Sequence, residues 1–289
     1  MPGTIASARL QDRTVESRVN YIGHMTERPR YYVSDPSRDV LTLDPQLVQV
    51  EDARLREHPP SLAREGFALF SHKSVVSDFS NAQELARVHP LETERLLLDL
   101  TGADKVVISA NAVRRCLERS PDAGKFTHSG KLFNSHLGYF VHIDISDSTA
   151  AMFAERWRRP KDHGRSVRRA AQYNVWRVLS PPPQDMPLAV CDSRSVSPSD
   201  LVESDAMMDI PGKPETSYEG LVIRYSPRHR WSYFSNMNRD EVLVFKSHDS
   251  DPGQPHHVPH SAFNNPACPP GVSPRASMEM RGIAYWFGT

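Results

Sequence analysis

The sequence predicts a mainly β protein, an antiparallel barrel or sandwich with flanking helices, on three observations. The second half is a series of short β-branched or aromatic runs: YNVWRVL, PLAVCDSRSV, GLVIRYSP, WSYFS, EVLVFKS and SMEMRGIAYWFG. Pro-rich or Asp/Asn/Ser-rich turns separate them, which is the spacing of such a fold. Two stretches carry the 3.6-residue apolar period of helices. At 289 residues, the chain is long enough to bury one substantial core. The expected organisation is a single domain over residues 1–289, with an N-terminal arm, strands and helices over about 1–110 and the β core over about 130–289.

In chain order, the first forty residues mix Tyr21, Pro29, Tyr31 and Tyr32 with charges and show no steady period, so they read as an arm or edge segment. GFALFSHKSVVSDF suggests one or two short strands around a turn. Ser80 or Asn81 then caps a helix carrying Leu85, Val88, Leu91 and Leu96 to Leu98, despite Pro90, and Gly102 ends it. VVIS is a short β-like run. In YFVHIDIS the residues alternate: Tyr139, Val141, Ile143 and Ile145 share one face, and Phe140, His142, Asp144 and Ser146 share the other. A second helix runs from Thr149 to Trp157 and stops at Pro160. PPPQDMP and DSDPGQPHHVP read as rim loops, and no internal repeat is present.

Thirty-five basic residues balance thirty-five acidic ones, with a pI near 7.2. This gives no whole-chain footprint for nucleic acid or an anionic membrane and favours a small-molecule substrate. The local run Arg156, Arg158, Arg159, Lys161, Arg165, Arg168 and Arg169 reads as a solvated helix face. Cys116, Cys191 and Cys268 are odd in number and widely spaced, against both a disulfide framework and a cysteine zinc site. With no apolar stretch near eighteen residues and no leader-like start, the expected compartment is the cytoplasm. Sequence leaves the oligomeric state open.

The chemistry lies in HIDIS. An oxygen-activating ferrous site needs two imidazoles and one carboxylate on one face of the ion, with the remaining positions open. On a strand, His142 and Asp144 converge from the same side, where i and i+2 on a helix would diverge. His-x-Asp alone is a weak signal, and the order of features downstream strengthens it. A second imidazole is due from a later strand, and DEVLVFKS is followed by a His-rich loop and HSAF, which offer His260 with His248, His256 and His257 as competitors. Beyond them, PRASMEMR puts Arg275 and Ser277 on one strand face, a guanidinium fork and a hydroxyl suited to the far carboxylate of 2-oxoglutarate. His256 and His260 also have the i, i+4 spacing of helical zinc ligands, but Pro255 and Pro259 oppose a helix and no HExxH string occurs. There is no GxSxG elbow and no Gly-rich phosphate loop.

Taken together, GFALFSHKSVVSDF, TGAD, HIDIS, NVWRVL, PLAVCDSRSV, WSYFSNM, EVLVFKSHDS, HSAF and PRASMEMR resemble the hydroxylase/desaturase family that includes cephalosporin 7-alpha-hydroxylase components and fungal gibberellin desaturases. The resemblance covers most of the chain. It implies a double-stranded β-helix (jelly-roll, cupin-like) core with flanking α-helices. It also implies Fe(II), 2-oxoglutarate and O2 as cofactor and co-substrates, with succinate and CO2 released. The activity it implies is hydroxylation, desaturation or cyclisation of a small molecule of secondary metabolism. Carried over by position, His142, Asp144 and His260 become the metal ligands and catalytic centre, Arg275 and Ser277 bind the co-substrate, and Asn174, Trp176 and Arg177 lie near the site. The chain departs from the family at Ala276 and at His248, where an acid and an aromatic residue are common. Tyr139, Tyr233, Phe234 and Phe263 are candidates for an apolar pocket wall. Two other readings remain: a non-catalytic jelly-roll metal-binding protein, and a cupin-like metal-dependent isomerase, which has no use for Arg275 and Ser277.

Overall fold

A computed structural model describes residues 13–116, 132–135, 138–210 and 212–288. In chain order the elements are β1 Thr14–Ile22, β2 Arg30–Tyr32, β3 Leu43–Asp52, β4 Phe67–Ser71, α1 Ala82–Thr101, β5 Lys105–Cys116, β6 Leu132–Ser135, β7 His142–Ile143 and α2 Asp147–Arg156. They continue with β8 Val167–Val178, β9 Leu188–Cys191, β10 Leu201–Met208, β11 Thr216–Ile223, β12 Trp231–Tyr233, β13 Glu241–Asp249, β14 His260–Ala262 and β15 Ala276–Phe287.

Two sheets face one another. The larger has the order β1-β3-β12-β9-β14-β7-β11-β10-β2 and the smaller β4-β13-β8-β15-β5-β6. Between them pack Phe67, Trp176, Val178, Leu188, Val190, Phe245 and Val258. An isolated parallel bridge from Asn20 to Phe140 brings β1 back against the chain entering β7. The larger sheet thereby curls over a second core of Val19, Tyr21, Val50, Ile143, Trp231 and Phe263.

Helix α1 covers the outer face of the smaller sheet. Asn81 caps it by accepting from the Gln83 and Glu84 amides, and Gly102 ends it in the left-handed region at φ 62°. Leu97 packs there against Val106, Tyr173, Val175, Ala284 and Trp286. Gly282 permits that approach, because a Cβ on it would lie 2.5 Å from Leu97 Cδ1. Helix α2 leaves β7 through Ser146, whose hydroxyl accepts from the Thr149 amide.

Several local expectations need correction. The N-terminal segment is not aperiodic: β1 and β3 pair antiparallel from Thr14↔Glu51 to Ile22↔Leu43. Their period of two was obscured because a polar residue, Ser17, is among those buried. GFALFSHKSVVSDF holds one strand, β4, within the expected one or two, and beyond it Val76 and Phe79 pack with Leu85, Met278 and Met280. The basic run is not one helix face. α2 ends at Arg156, Arg158 donates to the carbonyls of Asp162, His163 and Arg165, and Arg169 forks onto buried Asp249. Pro160 has no amide hydrogen to continue the helix and begins a 3-10 turn instead. Cys191 and Cys268 are free thiols. Among the described residues, no helix is long and apolar enough to cross a membrane.

Candidate active site

The site begins with strand register. β14 pairs antiparallel with β7 at a single position, His260↔His142, so two imidazoles distant in sequence stand side by side with ring centroids 4.3 Å apart. Asp144 follows His142 by two residues and shares its side of the backbone. Ligand atoms of His142, Asp144 and His260 all lie within 4.8 Å of one another, and all three residues are buried.

Hydrogen bonding fixes which nitrogens are offered. His142 Nδ1 lies 2.9 Å from the Phe140 carbonyl and His260 Nδ1 lies 3.3 Å from the Val258 carbonyl, in each case two residues upstream. A carbonyl only accepts, so each Nδ1 carries the proton and each Nε2 keeps its lone pair for a metal. Burial, then His260, pushes the His142 imidazole down to about 3, and burial lowers His260 as well. Both rings are therefore neutral at physiological pH, as ligands must be. Gly138 lies over the His142 ring, and a Cβ there would be 2.7 Å from Cε1.

Burial alone would raise the Asp144 carboxyl, but Arg281, then the two imidazoles and Asn174, hold it well below the usual carboxylate range. Asn174 Nδ2 donates to Asp144 Oδ2 at 2.6 Å and to Ser247 Oγ at 2.9 Å. Arg281 donates to Asp144 Oδ1 at 2.6 Å, to Glu279 Oε1 at 2.7 Å and to Asn174 Oδ1 at 3.0 Å. Arg115 forks onto Glu279 from the neighbouring strand. Ser247 reaches this network because β13 slips register against β8 between Lys246 and His248, leaving Ser247 as an extra residue.

Arg275 immediately precedes β15 and Ser277 is its second residue; they are 1% and 0% exposed. Arg275 Nη1 bonds to the Met186 carbonyl, while its Nε and the Ser277 hydroxyl are buried without a hydrogen-bond partner. Burial, then Arg115, pushes the Arg275 guanidinium down to about 10. A buried cation with an orphaned donor beside an orphaned hydroxyl fits an anionic group that completes both.

Of the residues chosen from sequence, the structure brings together His142, Asp144, His260 and Asn174. It does not bring Arg177 to them. Arg177 emerges from the opposite face of β8, where it bonds to the carbonyls of His72 and Arg239 and to His72 Nδ1. Its bonds run to carbonyls and an imidazole, away from the cluster it was expected to serve. Trp176 is core and lies under the Arg275 guanidinium at 5.5 Å. His248, His256 and His257 gather around Asp147 instead. Arg281, Glu279, Arg115 and Ser247 were missed. Arg281 and Glu279 had a signal, since period two along β15 carries the face of Arg275 and Ser277 onto them.

A cavity of about 380 Å³ opens beside His142 and Asp144. Tyr31, Leu41, Leu43, Tyr139, Phe140 and Tyr218 form much of its wall, with Arg115 and Arg281 at its polar end. Of the four aromatic residues expected to line a pocket, Tyr139 does so here. Tyr233 and Phe234 border a separate small cavity and Phe263 is core. The N-terminal segment thus supplies much of the wall of the cavity beside His142 and Asp144.

A family model described as "Oxidoreductase/YMDC permease-like domain" matches residues 19–285. The hydroxylase/desaturase CTB9 of Cercospora beticola is 30% identical over 256 residues, which span 83% of this chain and 76% of that relative. The Fe(II)/2-oxoglutarate-dependent dioxygenase nvfI of Aspergillus novofumigatus is 25% identical over 244 residues, 80% of this chain and 83% of the relative. A solved structure of the iron and alpha-ketoglutarate-dependent endoperoxidase NvfI superposes with a TM-score of 0.77 at 22% identity, covering 96% of this chain and 99% of that one. It shares the fold, a jelly-roll core with flanking helices. The match over residues 19–285 and the likeness to CTB9 together show that the chain belongs to the hydroxylase/desaturase family of oxidoreductases.

Proposed function

We propose that this chain is an Fe(II)/2-oxoglutarate-dependent dioxygenase in which His142, Asp144 and His260 hold the iron and Arg275 with Ser277 takes the far carboxylate of 2-oxoglutarate. The observation that carries this reading is the trio of buried ligand atoms within 4.8 Å, two of them imidazoles oriented through Nδ1. Two neutral nitrogens and one carboxylate form the donor set of non-haem ferrous sites that keep positions open for further ligands. Bound there, iron with 2-oxoglutarate and O2 supplies an oxidant able to remove hydrogen from an unactivated C–H bond, with succinate and CO2 released.

The protein's own part is orientation and exclusion of water. Asn174 and Arg281 grip both oxygens of Asp144, fixing its plane before any ligand arrives. The orphaned donors of Arg275 and Ser277 prefer an anion to water, because a guanidinium forks onto a carboxylate. A cupin-like isomerase has no use for that pair. The aromatic and aliphatic wall around Tyr31, Leu43 and Phe140 suits a small, largely apolar substrate, with Arg115 and Arg281 available to a carbonyl or carboxylate on it. Positioning of the substrate C–H bond against the metal then selects hydroxylation, desaturation or ring closure.

The test is anaerobic addition of ferrous iron and 2-oxoglutarate to metal-stripped protein, followed by oxygen and candidate substrates. A visible charge-transfer absorption that requires both components, and succinate release stimulated by substrate, are expected. No such absorption in the wild type, or its full persistence in Asp144→Ala, would sink the assignment.

A further inference from the structure

A second cluster of metal-ligating side chains stands beside the first. Ligand atoms of Asp147, His248 and His256 lie within 4.8 Å of one another. His256 Nε2, His257 Nε2 and His248 Nε2 are 2.8, 3.0 and 3.7 Å from the single oxygen Asp147 Oδ1. The ring centroids of His248 and His256 are 4.6 Å apart. Zinc held at about 2.0–2.1 Å by nitrogen and oxygen in a tetrahedron separates neighbouring ligand atoms by about 3.3 Å. The two distances from Asp147 to His256 and His248 bracket that edge.

Three segments converge to make the cluster. Asp147 is the first residue of α2, presented by the Ser146 cap. His248 follows the β13 irregularity, which turns it toward α2, where it borders a cavity of about 310 Å³ with Ala150, Ala154 and Gln172. His256 belongs to the loop that delivers His260 to β14. Asp147 is 67% exposed, so an ion has a path in from solvent.

We propose that Asp147, His248 and His256 form a second metal site, for a divalent ion of zinc or cobalt type, with water in the fourth position and His257 donating to the Asp147 carboxylate. The site ties the start of α2 to the loop between β13 and β14, and so clamps together the two segments that carry Asp144 and His260. It depends on neither the iron assignment nor the oxidative chemistry.

The test uses full-length, chelator-stripped protein and titration with Co2+ and Zn2+. Wild type is expected to bind two equivalents, His248→Phe/His256→Ala one, and His142→Ala/Asp144→Ala one. Cobalt in the last protein should show the intense visible bands of four-coordinate geometry. Zinc at about 100 times its Kd should raise that protein's melting temperature by about 4–5 °C. His257→Ala should retain both equivalents. Wild-type stoichiometry in folded His248→Phe/His256→Ala, or no binding in a folded His142→Ala/Asp144→Ala protein, would overturn the second site. Loss of all binding in a folded His248→Phe/His256→Ala protein would instead count against the iron assignment, so the two failures are distinguishable. Circular dichroism and the metal-free melting temperature establish which variants are folded.

Discussion

Two constellations of histidine and aspartate share the same three segments and differ in what surrounds them. Asp144 and Asp147 flank the turn into α2, Ser247 and His248 sit at one irregularity in β13, and His260 and His256 end and interrupt one loop. The inner group is buried, and each of its side chains is held by a second partner: Phe140 and Val258 carbonyls on the imidazoles, Asn174 and Arg281 on the carboxylate. In the outer group, one exposed carboxylate serves several imidazoles directly. A residue type that binds metal is therefore not enough to define a reactive centre. What separates the two is a shell of hydrogen bonds around the carboxylate and both imidazoles, which belongs to the inner group, and, on the proposed reading, the Arg275 and Ser277 pair for a co-substrate carboxylate.

The sharpest way to break this contrast is Asp144→Ala. Loss of a ligand should lower substrate-dependent succinate release by on the order of 1000-fold, more than the 10- to 100-fold of an outer partner. Turnover within a few-fold of wild type would erase the distinction between the groups. Next comes Arg275→Gln, which removes charge-assisted hydrogen bonds worth about 1.5–3 kcal/mol, or about 10- to 100-fold in the Kd for 2-oxoglutarate. The melting temperature should hold or rise, because that guanidinium is buried with an unsatisfied Nε. Isothermal titration and a thermal melt on one sample read both effects.

Asn174→Ala and Gly138→Ala probe the supporting shell. Asn174→Ala frees one oxygen of Asp144 and should weaken iron binding by about 10- to 100-fold while the fold persists. Gly138→Ala puts a methyl 2.7 Å from His142 Cε1 and should weaken iron binding by displacing the ring, with little change in circular dichroism. Unchanged iron affinity in both would mean that the shell is dispensable.

The mildest effect is on pH. His89 is buried and held at about 3 by burial, then by Arg177 and His72, whereas in the unfolded chain it titrates near its ordinary value of about 6.5. Between those values the unfolded chain takes up a proton that the fold refuses. Stability is therefore full above about pH 6.5 and falls as pH drops below it, by about 1 kcal/mol per unit for this residue. His89→Gln should flatten that slope in urea titrations of the metal-free protein. A slope identical to wild type would remove His89 from the account.

Several parts of the site were legible because they depend on local period. YFVHIDIS alternates, so His142 and Asp144 had to point the same way, and the same arithmetic joins Arg275 to Ser277. It also separates Arg177 from Asn174 and Trp176, an odd step on one strand that the family likeness overrode. The N-terminal pocket wall was not legible, since Tyr31, Leu41 and Leu43 gain their meaning only once β1 and β3 have joined the larger sheet.

By itself the sequence determined the β architecture, a helix capped at Ser80 or Asn81 and ended by Gly102, and the pairing of one imidazole with one carboxylate, all consequences of backbone period and side-chain chemistry over a few residues. Among His248, His256, His257 and His260, the residue pattern alone left the partner of His142 open and the family resemblance named His260; which imidazole stands beside His142 is a matter of tertiary structure. It is decided by a β14 register that sets His260 opposite His142 and by an irregularity in β13 that turns His248 toward α2. Interstrand register is a long-range property, fixed by how two sheets bury their apolar faces against each other, and no local window of sequence contains it.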